Sequence, residues 1–206
     1  MKGRFITFEG CEGSGKSTQL RFLAEYLKDN GVDFILTREP GGDKVAEKIR
    51  GIILDKDNTE MSAECEALLY AAARMQHLNT VIIPALEAGK LVICDRYIHS
   101  SLAYQGYARG LGEKFIESIN SVAIEKYSPD LTVFLNISPK EAFIRKHGAD
   151  ENDRMESLGL EFHEKVYKGY LALLGKYPYI CAVECGGTKF ETSEKIIKLL
   201  KEKGII

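Results

Sequence analysis

The chain has 206 residues, of which 45% are hydrophobic, and 28 Lys and Arg stand against 30 Asp and Glu, a formal net charge of −2. This length suits one domain with a sizeable core, and the balanced charge excludes intrinsic disorder and the strongly basic surface of a bulk nucleic-acid binder. No apolar run approaches the roughly 18 residues of a membrane span, so we expect a soluble, cytoplasmic protein without nucleic-acid or membrane partners. The five cysteines form no Cys-x-x-Cys pair and are expected to be reduced.

Short apolar runs alternate with amphipathic stretches along the chain. The runs predict buried parallel strands at residues 4–8, 34–37, 91–94, 131–135 and 179–183. Helical spacing of apolar residues predicts helices at residues 16–29, 43–54, 61–88, 100–127, 160–175 and 191–203. Strands that alternate with helices form βαβ units, so we expect a single α/β domain over residues 1–206, with a five-stranded parallel sheet flanked by helices.

A glycine-rich segment follows the first predicted strand and opens the first predicted helix. It fits the phosphate-loop pattern G-x-x-x-x-G-K-[ST] with Gly10, Cys11, Glu12, Gly13, Ser14, Gly15, Lys16, Ser17 and Thr18. The backbone N–H groups would surround phosphate oxygens, Lys16 would contact the β- and γ-phosphates, and the Ser17 hydroxyl would ligate Mg²⁺. The segment predicts a P-loop NTPase-type fold with a nucleoside triphosphate site, and a ligand-free glycine turn is the alternative.

Glu12 is unusual, because a carboxylate in an anion-binding loop repels phosphate. We expect its side chain to turn away from the loop, toward a sugar hydroxyl or hydrated magnesium. The loop contains no arginine to neutralise charge in the transition state, so this charge must come from another segment.

Charged residues follow the second and third predicted strands, where ligands of open α/β sheets collect. Arg38 precedes a Pro-Gly-Gly turn, and its planar guanidinium suits a phosphate, with a surface ion pair as the alternative. Asp43, after that turn, is a good N-cap for the next helix. Asp95 would hold magnesium-bound water and Arg96 would bridge donor and acceptor phosphates, unless the two form a structural pair.

Tyr70 and Arg74 lie four residues apart in the third predicted helix and so project from one face. Spacing alone favours a Tyr70 that packs in the core and an Arg74 that reaches solvent. A polar stretch at residues 146–154 interrupts the pattern and predicts a short mobile lid at about 146–156. The four histidines have no metal-binding spacing, and we expect them at surface or helix positions: His77, His99, His147 and His163.

A GTPase would need N-K-x-D and D-x-x-G, and neither pattern occurs, which favours an ATP-using kinase. The sequence resembles the thymidylate kinase family in four segments: Phe8-Glu9-Gly10 with the phosphate loop, Thr37-Arg38-Glu39-Pro40-Gly41-Gly42, Leu69-Tyr70-Ala71-Ala72-Ala73-Arg74, and Asp95-Arg96-Tyr97 with residues 100–106. A fifth segment, Asp153-Arg154-Met155-Glu156, looks like the family's lid.

The resemblance implies a magnesium-dependent kinase that transfers the γ-phosphate of ATP to thymidine 5′-monophosphate (dTMP), acting as a homodimer. For the acceptor, it implies that Arg38 holds the phosphate and that Tyr104 lies near the sugar and disfavours a 2′-hydroxyl. Tyr70 would stack on thymine and Arg74 would donate to its O4. Ser101 and Gln105 would make further polar contacts to the base. For catalysis, it implies roles for Lys16, Arg96, Asp95 and the lid residue Arg154, with Arg145 as a possible second lid arginine. The alternatives are a kinase for another nucleoside monophosphate or a deoxynucleoside, and a nucleotide-dependent switch or binding module.

Overall fold

A five-stranded parallel sheet forms the centre of the computed structural model, which describes residues 3–146 and 153–206. Its strand order is β2-β3-β1-β4-β5, and the strands are β1 Arg4–Glu9, β2 Phe34–Arg38, β3 Leu91–Asp95, β4 Leu131–Asn136 and β5 Ile180–Glu184. Each observed strand lies within one residue of its predicted bounds. The predicted α/β architecture is therefore confirmed.

Helices flank the sheet. They are α1 Lys16–Asp29, α2 Lys44–Leu54, α3 Ala63–His77, α4 Ile83–Glu87, α5 Ile98–Ser101, α6 Glu113–Ile119, α7 Ser121–Lys126, α8 Pro139–Lys146, α9 Gly159–Lys176 and α10 Lys189–Glu202. Two π-helical segments, Leu78–Ile82 and Leu102–Ala108, continue α3 into α4 and extend α5. Among the described residues, no helix is both long and apolar enough to cross a membrane.

The stretch predicted as one helix over residues 100–127 is instead interrupted twice. Gly110 and Gly112 adopt φ values of +80° and +81°, a left-handed conformation that ends the helical run. A second break at Asn120 separates α6 from α7. Periodicity missed both interruptions because the apolar spacing continues across them.

The register of the sheet brings the ends of three strands together. Phe8 of β1 pairs with Asp95 of β3, and Asp95 pairs with Arg38 of β2. β1 and β3 are apolar and buried, as at Ile6 and Ile93. The prediction of a buried strand is wrong for β2, which lies at the edge of the sheet and whose Leu36 is 45% exposed. The polar residues that follow these strands therefore meet at one edge of the sheet, next to the phosphate loop.

His99 makes the stability of the fold sensitive to acid. It is 1% exposed, and burial, together with the charge of Arg74, lowers its pKa to about 3 from the ordinary 6.5. Below about pH 6.5, His99 is therefore protonated in the unfolded chain but stays neutral in the folded protein. The free energy of unfolding falls as the pH falls. We expect His99 to account for a loss of about 2 kcal/mol in unfolding free energy between pH 7 and pH 5. Urea unfolding at both pH values should show a smaller loss for His99→Gln, and an equal loss in both proteins would contradict this assignment.

Candidate active site

The phosphate loop joins the end of β1 to the start of α1. Gly13 and Gly15 have φ values of +75° and +92°, and a Cβ at Gly13 would lie 2.8 Å from the carbonyl oxygen of Ala142, so the loop needs glycine there. The Lys16 ammonium bends back over the loop and donates to the carbonyl oxygen of Gly10 at 3.1 Å. Burial lowers the pKa of Lys16. The nearby carboxylates of Glu12, Asp95 and Glu9 oppose this decrease, and a bound phosphate would add further negative charge beside the ammonium.

Arg96 connects the phosphate loop to a neighbouring pocket. Its backbone φ is +67°, a conformation that is costly for a residue with a side chain and that concentrates at functional sites. Its Nη1 donates to the Gly10 carbonyl oxygen at 3.1 Å and to Ser100 Oγ at 3.2 Å, and its Nη2 pairs with the Glu12 carboxylate. The guanidinium also lies 5.2 Å from the centre of the Tyr104 ring. Arg96 thus contacts the loop and the pocket at once.

Glu9 shares two hydrogen-bond partners, Ser100 and Tyr170, with Arg96, and no role was assigned to it from the sequence. Its carboxylate accepts from the Tyr97 backbone N–H at 2.9 Å, from Ser100 Oγ at 2.6 Å and from the Tyr170 hydroxyl at 2.8 Å. Burial raises the pKa of Glu9, and these hydrogen bonds and Arg96 oppose the rise. An acidic residue at the end of an apolar strand was the available sequence signal.

A small pocket of about 70 Å³, here called the Tyr70 pocket, opens beside Arg96. It brings together six residues selected from the sequence: Glu12, Tyr70, Arg96, Ser101, Tyr104 and Gln105. Its lining also includes residues to which the sequence assigned no individual role. Five of them lie in the recognised segments, Glu39, Pro40, Ser100, Asp153 and Met155, and two lie outside them, Arg50 and Leu54. Of these, Arg50 adds a positive charge, and its Nη1 donates to the Pro40 carbonyl oxygen at 2.9 Å.

Arg74 lies directly behind the wall of this pocket and is 2% exposed. Its Nε donates to Glu39 at 2.8 Å, its Nη1 to Asn120 at 2.7 Å and its Nη2 to Ser101 at 3.1 Å. The solvent-exposed position that spacing alone favoured is therefore wrong. Because Glu39 and Ser101 line the pocket, Arg74 lies one hydrogen bond from its interior.

A second cleft, of about 680 Å³, is lined by Asp95, Arg38 and Ser17 among other residues. Arg38 pairs there with Glu47 at 2.9 Å. One carboxylate oxygen of Asp95 is buried and has no hydrogen-bond partner among the residues that the structure describes. A buried carboxylate oxygen beside a hydroxyl fits a hard divalent cation such as Mg²⁺, so Ser17 and Asp95 have the right donor chemistry.

A third cleft, of about 470 Å³, is lined in part by the phosphate loop. It is lined by Gly13, Ser14, Gly15, Thr18, Gln19, Arg145, Cys185, Gly187, Lys189 and Thr192. Arg145 crosses it and donates to the Cys185 carbonyl oxygen at 2.6 Å. The loop therefore borders a cleft large enough for the remainder of a nucleotide.

Comparison with known proteins agrees with this geometry. A family model described as thymidylate kinase matches residues 8–196. The chain belongs to the thymidylate kinase family. The protein named thymidylate kinase from Clostridium novyi (strain NT) is 52% identical over 179 residues, which cover 86% of this chain and 87% of that protein. The one from Finegoldia magna (strain ATCC 29328 / DSM 20472 / WAL 2508) is 45% identical over 202 residues, which cover 98% of this chain and 100% of that protein.

Arg154, in the segment predicted as a lid, is buried against α3. Its Nη2 donates to Glu66 at 2.6 Å, and its Nε donates to the Ile53 carbonyl oxygen at 2.9 Å. Burial acts to raise the pKa of Glu66, but hydrogen bonds from Arg109 and Gln105 hold it below its usual value. Most of the predicted lid, residues 147–152, lies outside the described residues.

His77, His99 and His163 are buried. They lie in helices α3, α5 and α9 respectively, so the expectation of a surface or helix position is confirmed for them by the helices. His147 lies outside the described residues. A single histidine on a helix carries no sequence signal for burial, because its polarity suits either environment.

Proposed function

We propose that the protein transfers the γ-phosphate of ATP to dTMP and releases dTDP and ADP. Family membership supports this reaction, and one structural observation carries it: Arg96 contacts the phosphate loop at Gly10 and the Tyr70 pocket at Ser100. ATP phosphates would lie on the loop with the nucleoside toward the third cleft. The dTMP base would lie in the Tyr70 pocket, with its phosphate directed toward Arg96.

The acceptor needs little activation. A phosphate monoester has a second pKa of about 6, so dTMP is largely dianionic at neutral pH and no general base is required. One of its oxygens forms a bond to the γ-phosphorus as the bond from that phosphorus to the bridging oxygen of ADP breaks. Catalysis then rests on holding the two phosphates in line and on neutralising charge, for which we assign Lys16, Arg96 and Arg154.

We assign Ser17 and Asp95 to Mg²⁺. Their oxygens share one cleft beside the phosphate loop, and the buried, unpartnered oxygen of Asp95 suits a cation or its bound water. A bound Mg²⁺ would neutralise phosphate charge. Loss of activity on chelation, restored by added magnesium, would support this assignment.

The walls of the Tyr70 pocket suit a pyrimidine nucleotide. Tyr70 offers an aromatic face for stacking, and Ser101 and Gln105 offer polar contacts. Arg74 lies behind Ser101, one hydrogen bond from the interior, and we assign its remaining donors to the O4 carbonyl. Arg38 remains our assignment for the acceptor phosphate, although in this structure it pairs with Glu47. That ion pair is half exposed and would be exchanged readily for a phosphate.

Tyr104 is expected to control sugar selection independently of base selection. Its ring is 5% exposed and lies beneath the Arg96 guanidinium, and its hydroxyl has no partner in the described part of the chain. Tyr104→Ala should narrow the preference for dTMP over its ribonucleotide by about tenfold, in line with the 1–3 kcal/mol cost of a lost polar contact. The preference for dTMP over dCMP should not change. Values of kcat/KM for the three monophosphates test this, and equal loosening of base and sugar selection would contradict it.

Arg154 is expected to contribute to the transition state after it leaves Glu66. Arg154→Ala should lower kcat by about 10²-fold with a smaller change in nucleotide affinity, because its charge is needed mainly during transfer. Arg109→Ala is the matched control, since Arg109 also pairs with Glu66, at 2.9 Å. If both variants lower the melting temperature and neither lowers kcat, Arg154 only anchors the chain to Glu66, and the missing charge belongs to Arg145 or another residue.

We also propose a homodimer. Two packed helices, α2 and α3, each carry a half-exposed apolar side chain, Ile52 and Leu68, both 50% exposed. A second copy of the chain would cover these side chains. Sedimentation equilibrium should give twice the mass of the chain.

A panel of nucleoside monophosphates and deoxynucleosides, each supplied with Mg-ATP, tests the substrate. We expect ADP release to be fastest with dTMP. Faster turnover with another monophosphate or with a deoxynucleoside would identify a kinase of different specificity. ATP binding without acceptor-dependent ADP release would identify a switch or binding module.

A further inference from the structure

Side chains that are distant in the sequence hold Arg74 at all three of its nitrogen atoms. Glu39 accepts from Nε, Asn120 from Nη1 and Ser101 from Nη2, and all four side chains are at most 4% exposed. A guanidinium has five N–H donors, and each terminal nitrogen carries two of them. Three of the five donors are used, so one donor on each terminal nitrogen is left for a ligand. The partners of the three used donors fix the directions in which the two remaining donors point.

The orientation of Asn120 follows from its second contact. Its Nδ2 donates to the Ile116 carbonyl oxygen at 2.9 Å, and because a carbonyl can only accept, the amide oxygen must face Arg74. Asn120 lies at the break between α6 and α7 and is 3% exposed. Neither Asn120 nor Arg74 lines the Tyr70 pocket. Asn120 is connected to it through Arg74, whose other two partners, Glu39 and Ser101, do line the pocket.

Glu39, the partner of Arg74 Nε, is itself held in place by a second set of contacts. The other oxygen of Glu39 lies 3.2 Å from His77 Nδ1, and His77 Nε2 lies 2.7 Å from Thr37 Oγ1. A carboxylate accepts, so Nδ1 is the donor to Glu39. Glu39 is thus held in place on one side of the guanidinium while Asn120 holds the other side.

We propose that Asn120 is a positioning residue for base selection: it fixes the rotation of the Arg74 guanidinium so that the remaining donors meet the O4 carbonyl of a pyrimidine. Without this acceptor, Nη1 would turn toward other partners, and the donors that discriminate a carbonyl from an amine would lose their direction. The inference rests on the proposed placement of Arg74 at the base and adds a residue that none of the recognised segments contains.

The test is the ratio of kcat/KM for dTMP to kcat/KM for dCMP. Asn120→Ala should lower this ratio about tenfold, the effect of roughly 1.4 kcal/mol, through a higher KM for dTMP. Asn120→Asp keeps an acceptor for Arg74 but loses the donor to Ile116. It should therefore keep the ratio within about threefold of the wild type even though its melting temperature falls. If Asn120→Ala does not fold, Asn120→Leu, which has nearly the same shape as asparagine and no acceptor, carries the same expectation.

A matched control separates positioning from general destabilisation. Thr7→Val removes a buried hydrogen bond to Thr132, 2.8 Å long, in β1, and should lower stability without changing the ratio. In an Arg74→Ala background, Asn120→Ala should not change the ratio further. An unchanged ratio in Asn120→Ala, with a normal response to Arg74→Ala, would overturn the role of Asn120 alone. An unchanged ratio in Arg74→Ala would instead overturn the proposed base site.

Discussion

Lys16→Ala is expected to lower kcat by about 10³-fold or more while dTMP still binds with nearly wild-type affinity. The Lys16 ammonium lies over the phosphate loop, 3.1 Å from the Gly10 carbonyl oxygen, where the proposed function places the donor phosphates. Its charge is preorganised and buried, and the loss of one such donor to the transition state typically costs 10²- to 10³-fold or more. Single-turnover assays and calorimetric titration with dTMP measure the two quantities separately.

Lys28→Ala is the matched control, because Lys28 is an exposed lysine in the last turn of the same helix, α1. Lys28→Ala should leave both kcat and the affinity for dTMP unchanged. Loss of dTMP binding in a folded Lys16→Ala protein would show that the donor and acceptor sites have been assigned the wrong way round.

Arg74→Ala is expected to have the largest combined effect on stability and specificity. It leaves the Glu39 carboxylate, 4% exposed, without its strongest partner, and breaking a buried ion pair typically costs about 3–5 kcal/mol. It also removes the donors for O4, so the preference for dTMP over dCMP should fall by about 1–3 kcal/mol in the free energy of transition-state binding. Chemical denaturation and kcat/KM for both monophosphates measure these effects.

Arg4→Ala provides the control for a lost arginine charge. Arg4 pairs with Asp130 at the surface, with its side chain 55% exposed, and such pairs contribute little. Arg4→Ala should change neither the free energy of unfolding nor the preference for dTMP over dCMP appreciably. If Arg74→Ala were as stable as the wild type, the hydrogen bonds that hold Glu39 and Asn120 to it would not matter to the fold.

The sheet and the phosphate loop could be predicted because their signals are local. A buried parallel strand needs a continuous apolar run, and each run ended at the polar residue that the structure places at the edge of the sheet, as at Asp95 and Arg38. The loop pattern fixes glycine positions and a lysine within nine residues. Tyr70, Tyr104 and Gln105 came together in one pocket as the family resemblance implied.

The partners of the site residues could not be predicted, because tertiary packing alone selects them. Asn120 is 46 residues from Arg74, and Glu66 is 88 residues from Arg154. Nothing in the composition around Asn120 distinguishes it from a solvated residue of an amphipathic helix. The periodicity of apolar residues also carries no information about buried ion pairs, so it predicted a solvent-exposed Arg74. In the structure Arg74 can be buried because Glu39, Asn120 and Ser101 accept its hydrogen bonds.

Phosphoryl transfer from the loop to a nucleotide in the Tyr70 pocket is tested most directly by following a label. ATP that carries ³²P in its γ-phosphate is incubated with magnesium, dTMP and the protein, and the products are separated by chromatography. The label should appear in dTDP, in an amount equal to the ADP formed. Label released instead as inorganic phosphate at a rate independent of dTMP would contradict the account.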